Sequence, residues 1–497
     1  MGTNGGEQWA QTGAAPRRWD PWLYVIVGVS IAIDIWKLDW GLPNGNTSWA
    51  ADALGPLTVL SIARHSIIPW NSGWFYFKYP LGYPLLLLIL WAPYLGLQIL
   101  TGHLRSPGAA YPYGFTHPDT ALYLLALVGR GLSVACVAGT VALTYGIGRR
   151  LFGRVAGRLA AWFTATAYPF VYYAHTTNLD ATHVFFIVLA LWATVVAART
   201  DARLPYALLG VAAAMAVSTK EQAFALFLPL PILVVAGRWR DLPATIFGAR
   251  RYLAAVWNSG TRTAVASTIV TLVVANNVLL NPSGFVRRLI YLSGRPVAGV
   301  SARLAPVKFS LFKGVAKEWQ YLCQLGDAVE SSLGLPLCVL VVGGIAYVVW
   351  RRPRAAVFLL APAVAQYYLS LRTLDLITLR YTLSLSVIGV LCAAALCADL
   401  LHRGRYRMLV GIAVGGVCAL ALARALELDL MLRDDARYQA EVWMRENMPA
   451  ANVEIYQKGT YLPRFKGVAI HKVPLGERTI EGLAERHPGF IVTSSAA

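Results

Sequence analysis

Residues 181–198 read ATHVFFIVLALWATVVAA, a run with no acidic residue, lysine or arginine, led by Asp180 and closed by Arg199. A helix of about 20 such residues crosses the hydrocarbon core of a bilayer. Similar runs occupy 21–36, 121–147, 263–280, 381–401 and 408–425. Charged residues make up 14% of the 497, where an ordinary soluble chain carries roughly a quarter. Hydrophobic residues make up 57%, and the mean hydropathy is +0.52. A soluble core cannot hide so many apolar runs. The chain reads as an all-α polytopic membrane protein.

The net charge of +19 raises nucleic acid as a partner, but the basic residues gather in short loops between apolar runs, and no nucleic-acid-binding module is visible. Such loops set orientation, because basic residues stay on the cytoplasmic side. Arg17 and Arg18 open the series. Arg149, Arg150, Arg154 and Arg158 follow, then Arg199 and Arg203, then Arg238 to Arg262, Arg351 to Arg354, and Arg403 to Arg407. Counting crossings between these groups gives about eleven spans, with the N-terminus inside and the C-terminus outside. The count holds if 81–101, opened by Pro80 and Pro84 and interrupted at Pro93, does not cross. Residues 1–20 then form a cytoplasmic tail, and the first apolar run is an uncleaved span, since no small-residue cleavage site follows Ile35 and Trp36. Residues 21–425 form the membrane domain, with outer loops at 39–120 and 281–333. Residues 426–497 read as a small extracytoplasmic α/β appendage, with a helix near 433–447 and strands at VEIY, VAIHKV and FIVT. Five of the six cysteines lie in apolar runs and none has ligand spacing, so neither a disulfide framework nor a zinc site is expected.

The outward segments hold the charges worth weighing, because a charge at the membrane edge is costly unless paired or wetted. They are Asp39, Asp52 and Lys78 in the first loop, Asp180 at the start of a run, Lys220 and Glu221 in a tight turn, and Arg372, Asp375 and Arg380 around another. Each also has a structural reading. Asp52 and Asp180 suit helix N-termini. Lys220 and Glu221 can pair with each other, and Lys78 among aromatics can snorkel. Arg380 near a helix start runs against the dipole.

Taken in order, SWAADALGP (48–56), FKYPLGYPLLLL (77–88), GIGRRLFGRVAGRLAAW (146–162), TTNLDATHVFF (176–186), STKEQ (218–222), LRYTLSLSVIGVL (379–391) and DDARYQAEVWMRENMPA (434–450) resemble the membrane glycosyltransferases of the GT-C fold. They resemble in particular the bacterial relatives of protein O-mannosyltransferases and of the aminoarabinose transferase that modifies lipid A. The resemblance implies a polyprenyl-phosphate-linked sugar donor, a lipid, glycan or protein acceptor, and catalysis outside the cytoplasm of a cell membrane. It implies that Asp52 is the general base, that Asp180 supports it as a second catalytic acid, and that Lys78, Tyr79, Lys220, Glu221, Arg380 and Tyr381 bind substrate. The family commonly has two adjacent acids in the first loop, whereas Ala53 follows Asp52 here, so no cofactor is expected, and a divalent metal is possible but not supported. A lone base with no second carboxylate nucleophile fits a single inverting displacement. Two rivals remain: a secondary transporter or lipid flippase, and a non-catalytic relative that binds lipid-linked sugar. Transporters tend to place charges or broken helices at mid-membrane between repeated halves; here the charges lie at helix ends.

Overall fold

The structure, a computed structural model, describes residues 20–42, 49–50, 53–66, 80–106, 108, 113–241, 248–297, 312–373, 375–402, 406–448, 452–457, 459–465 and 469–494. Asp52, Lys78 and Tyr79 lie outside them. The chain is helical almost throughout. Its helices are α1 (Pro21–Ile35), α2 (Pro56–Ser66), α3 (Gly82–Leu100), α4 (Pro118–Phe152), α5 (Arg154–Ala165), α6 (Tyr168–Ala174) and α7 (Leu179–Ala197). They continue as α8 (Arg203–Thr219), α9 (Phe224–Phe227), α10 (Leu230–Asp241), α11 (Gly248–Val256), α12 (Ser259–Ala275), α13 (Pro282–Leu292) and α14 (Val315–Leu333). The last are α15 (Leu335–Arg351), α16 (Pro353–Gln366), α17 (Leu383–His402), α18 (Arg407–Arg433), α19 (Ala436–Asn447) and α20 (Ile480–Arg486).

Among the described residues, 7 helical segments are long and apolar enough to cross a membrane, or up to 8 if α14 and α15, bent by 119°, count as one span. Three shorter apolar helices, α1, α8 and α12, accompany them. The chain is therefore a multi-pass membrane protein. The buried centre is built by α4, α7 and α17, with α5, α8 and α15 against them. Apolar helices in lipid gain little from hydrophobicity alone, so close contact between small residues holds them together. Gly344 on α15 shows this, since an added Cβ would collide with the backbone of Cys392 on α17.

The sequence reading needs five adjustments. Residues 82–100 form one uninterrupted helix, with Pro93 inside it, and by length and composition it qualifies as a span. A proline removes one backbone bond and kinks a helix, which membrane helices tolerate where neighbouring groups or a local change of helix geometry satisfy the freed carbonyl. The basic turn at 149–158 is hardly a loop. Arg149 and Arg150 complete α4, and a single residue, Gly153 at φ 99°, reverses the chain into α5. That left-handed backbone favours glycine. The run at 157–174 is broken into α5 and α6 ahead of Pro169, where a proline at the second position of α6 suits a helix start. The segment 281–333 contains α13 and α14 rather than open loop.

Membrane helix α18 runs on to Arg433, past the expected boundary at 425. After it come α19 and a three-stranded parallel sheet, ordered β2–β1–β3, from β1 (Val453–Ile455), β2 (Ile470–Lys472) and β3 (Phe490–Val492). Each of the three strands falls on a stretch expected from the sequence, and α20 crosses from β2 to β3.

Candidate active site

The α7 helix begins at Asn178, whose side chain accepts from the Asp180 amide at 3.3 Å. That cap places Asp180 in the first turn, where the helix dipole favours a carboxylate. Its side chain is fully buried. Oδ1 accepts from Lys220 Nζ at 2.6 Å and Oδ2 from Arg380 Nε at 2.8 Å. Lys220 follows the last turn of α8 in extended backbone. Its ammonium also lies 3.8 Å from the centroid of the Tyr381 ring, whose face attracts a cation. One acid thus braces two cations in a largely buried site, where an unpaired charge would be very costly.

Behind the trio lies a cavity of about 10 Å³ lined by His183, Gln222, Gln366, Arg380, Tyr381 and Ser384. It holds about one water, so no sugar enters there. Any larger ligand meets the cations from their open side, where the side chains of Arg380 and Lys220 are 20% and 8% exposed. Ser384 Oγ donates to Gln366 Oε1 at 2.7 Å, and His183 Nδ1 lies 3.2 Å from the Ala216 carbonyl.

The first helix turn of α3 arrives at the same place. A Cβ added to Gly82 would lie 2.5 Å from the Ser218 carbonyl oxygen, two residues before Lys220. Only glycine permits that approach, and it brings Pro80 and Leu81, which directly follow Lys78 and Tyr79 in sequence, to the end of α8. The first loop is pinned nearby: the Leu54 amide donates to the Thr177 carbonyl at 3.1 Å, and the Ala53 amide to the Ala50 carbonyl at 3.4 Å.

Glu221 does not pair with Lys220. It pairs with Arg288 of α13, because Lys220 points inward to Asp180 while Glu221 turns into the following 3-10 turn. Arg372 is likewise committed, donating to Glu318 of α14 at 2.6 Å. Lys313 Nζ donates to the Tyr321 hydroxyl and to the Arg372 carbonyl, each at 3.0 Å. Tyr321 in turn donates to Asp375. This hydrogen bond, helped by Lys313 and Lys317 against partial burial, holds the Asp375 carboxyl below the usual range.

A second convergence joins the appendage to the first loop. Trp49 is 4% exposed, with Arg437 and Arg464 over its ring at 4.2 and 5.1 Å and the Tyr438 ring edge-on at 4.9 Å. Asp435 accepts from Trp40 Nε1 at 3.0 Å, Tyr438 Oη from the Gly41 amide at 2.9 Å, and the Leu42 carbonyl from Arg464 Nη1 at 2.6 Å. Glu441 accepts from the Nε and Nη2 edge of Arg464, at 2.6 and 2.5 Å.

Of the residues singled out from sequence, Asp180, Lys220, Arg380 and Tyr381 meet in one cluster. Glu221 stands at its edge, and Asp52, Lys78 and Tyr79 lie outside the described residues. The sequence reading did not name His183, Gln366, Ser384, Glu318 or Tyr321. His183 lies one helical turn from Asp180 and was legible as an i, i+3 neighbour. The Gln366–Ser384 pair joins two helices and had no local signal.

Residues 125–257 match the dolichyl-phosphate-mannose-protein mannosyltransferase family. No curated protein sequence matches the chain. Among solved structures, ArnT from Cupriavidus metallidurans bound to undecaprenyl phosphate is 14% identical at a TM-score of 0.52, over 94% of this chain and 88% of that one. The Archaeoglobus fulgidus oligosaccharyltransferase is 15% identical at a TM-score of 0.46 over 86% of this chain, which spans 55% of its length. Arabinofuranosyltransferase AftD from Mycobacteria is 15% identical at a TM-score of 0.47, over 97% of this chain and 32% of that one. These last two likenesses are too loose to argue from. The match to ArnT over nearly the whole of both chains, together with the apolar helices, gives this protein the GT-C membrane fold.

Proposed function

We propose that the chain is a glycosyltransferase that moves a sugar from a polyprenyl-phosphate-linked donor to an acceptor hydroxyl at the outer membrane face. The observation that carries this reading is the pair of cations, Lys220 and Arg380, braced by Asp180 at adjoining helix ends. The matched family's name, dolichyl-phosphate-mannose-protein mannosyltransferase, and the undecaprenyl phosphate bound to ArnT add support.

The chemistry follows from charge. A carboxylate, assigned to Asp52 by the family resemblance, takes the proton of the acceptor hydroxyl. That oxygen attacks the anomeric carbon. The bond from the anomeric carbon to the phosphate oxygen breaks, and the departing lipid phosphate keeps the electron pair. Lys220 and Arg380 stabilise the charge that develops there, with Lys78 assigned beside them by the resemblance, so no acid catalyst is needed. One displacement inverts the anomeric centre. Asp180, with both oxygens engaged by cations, acts as a positioning residue that orients them rather than as a proton acceptor. The basic loops support an outward orientation of this end of the helices, on a count in which residues 82–100 do not cross.

The test is to supply the purified protein, in nanodiscs, with a panel of labelled polyprenyl-phosphate sugars and acceptor lipids, glycans and peptides. Transfer with inversion from at least one donor is expected. Binding without transfer across the panel would point to the non-catalytic relative. Movement of intact donor across a vesicle membrane would point to a flippase.

A further inference from the structure

A cavity of about 570 Å³ opens at the C-terminal end of α4, lined by Leu23, Tyr24, Leu143, Tyr145 and Trp192, with Arg149 and Arg150 at its rim. Its volume is that of an ordinary ligand pocket. It is remote from the candidate active site. Ser133 of α4 donates to the Thr176 carbonyl near Asp180, and Arg150 lies seventeen residues further along the same helix. At 1.5 Å per residue that is about 25 Å, close to the thickness of a bilayer's hydrocarbon core. The cavity therefore faces the opposite leaflet.

We infer that this cavity binds an anionic phospholipid of that leaflet, with its phosphate at Arg149 and Arg150 and an acyl chain along Leu23, Leu143 and Trp192. The walls are mainly apolar, which suits a chain rather than a free ion. The rim is cationic. The one acid in the lining, Asp20, is already neutralised: Arg158 grips both its oxygens at 3.0 and 2.9 Å, and the Tyr145 hydroxyl donates to it at 2.7 Å. Asp20 therefore leaves the rim positive. Arg150 is set in place by the Trp192 ring, 5.0 Å from its guanidinium carbon, and by a 3.2 Å bond to the Gly146 carbonyl. An arginine held on an aromatic shelf loses little side-chain freedom when a phosphate meets it. Basic pockets between membrane helices bind anionic headgroups in this way.

The experiment uses the full chain in detergent and follows retained lipid by native mass spectrometry. Phosphatidylglycerol and phosphatidylcholine are titrated separately, and inorganic phosphate is added as a competitor. Phosphatidylglycerol is expected to bind in about 1:1 ratio and more tightly than phosphatidylcholine. R149Q/R150Q should weaken phosphatidylglycerol roughly 10- to 30-fold, and R351Q/R352Q, a basic pair outside the cavity, should not. Leu143→Trp, which fills the cavity and keeps both arginines, should also weaken it. Leu23→Trp replaces Leu143→Trp if that variant has a lowered melting temperature. Equal loss from R351Q/R352Q, full binding by both cavity-filling variants, or displacement of the lipid by millimolar phosphate would each overturn the assignment.

Discussion

Lys220 Nζ lies 2.6 Å from Asp180 Oδ1, so the first residue after one apolar helix and the first turn of another are joined by a buried ion pair. Arg380 occupies the remaining oxygen. Removing one partner from a buried pair typically costs about 3–5 kcal/mol, because the other charge is stranded. For Asp180→Asn two cations lose their brace. We expect a drop in unfolding free energy of about 3 kcal/mol and a loss of donor affinity of at least tenfold. Lys220→Met should reduce donor affinity similarly while retaining the Asp180–Arg380 contact. Titration of each variant with a labelled polyprenyl-phosphate sugar, alongside thermal unfolding, checks both. Unchanged affinity in the two variants would remove the cations from donor binding.

Asp52→Asn is expected to abolish or severely reduce transfer and to leave donor binding intact. An amide keeps the shape and can still accept a bond from a helix amide, so a capping role would lose only about 1 kcal/mol or less. A general base contributes roughly 100- to 10,000-fold in rate. Single-turnover transfer separates the two outcomes. A variant keeping more than about a third of the wild-type rate would show that Asp52 is not the base.

The grip of Arg437 and Arg464 on Trp49 suggests that the appendage orders the first loop. R437A/R464A should speed amide exchange at residues 40–42 and 49–50, and slow transfer about tenfold or more with little change in donor affinity. Each cation–ring contact is worth roughly 0.5–2 kcal/mol, enough to shift a loop without unfolding the membrane domain. Protection unchanged from wild type would leave the appendage without this role.

Asp20 provides a dependence on pH. Burial pushes its carboxyl up, but Arg158 and the Tyr145 hydroxyl outweigh that and hold it below the usual value. A folded-state value below the unfolded one means that the stabilisation is present above about pH 4 and fades as pH falls through the folded value. The purified protein should therefore lose melting temperature progressively below pH 4. Asp20→Asn should melt lower at pH 7 and show a flatter acid limb. Parallel acid limbs in the two proteins would assign the loss to other carboxylates.

How much of this was legible in the sequence depends on whether a signal was local. The apolar run at 181–198 and its acidic leader carry their meaning within one helix, and the structure places Asp180 in the first turn of α7 as that reading expects. The three strand stretches in the appendage likewise fall where their apolar character put them. The partners of the charged residues were harder. Lys220 is next to Glu221 in sequence, yet it pairs with Asp180 forty residues away, and Glu221 pairs with Arg288. Which of two adjacent side chains turns inward is set by the turn after α8, not by composition. The same holds for the joining of Trp49 to Arg437 and Arg464, whose sequence separation conceals a contact made only when α18 and α19 fold back over the first loop.

One helix, α4, is 35 residues long, roughly 50 Å from end to end. It carries Ser133, which bonds beside the candidate active site, and Arg149 and Arg150 at the far rim. The two committed points, one near the middle of the helix and one at its C-terminal end, lie about 25 Å apart along a rigid rod, and that span works as a gauge of bilayer thickness. In a thinner membrane it has to tilt or draw the lipid around it, at a cost of fractions of a kcal/mol per ångström of mismatch, and tilting moves the Thr176–Asp180 segment with it. Transfer by this protein should then vary with acyl chain length even when headgroup and donor are held constant, with an optimum where the hydrocarbon matches the span from Ser133 to Arg150.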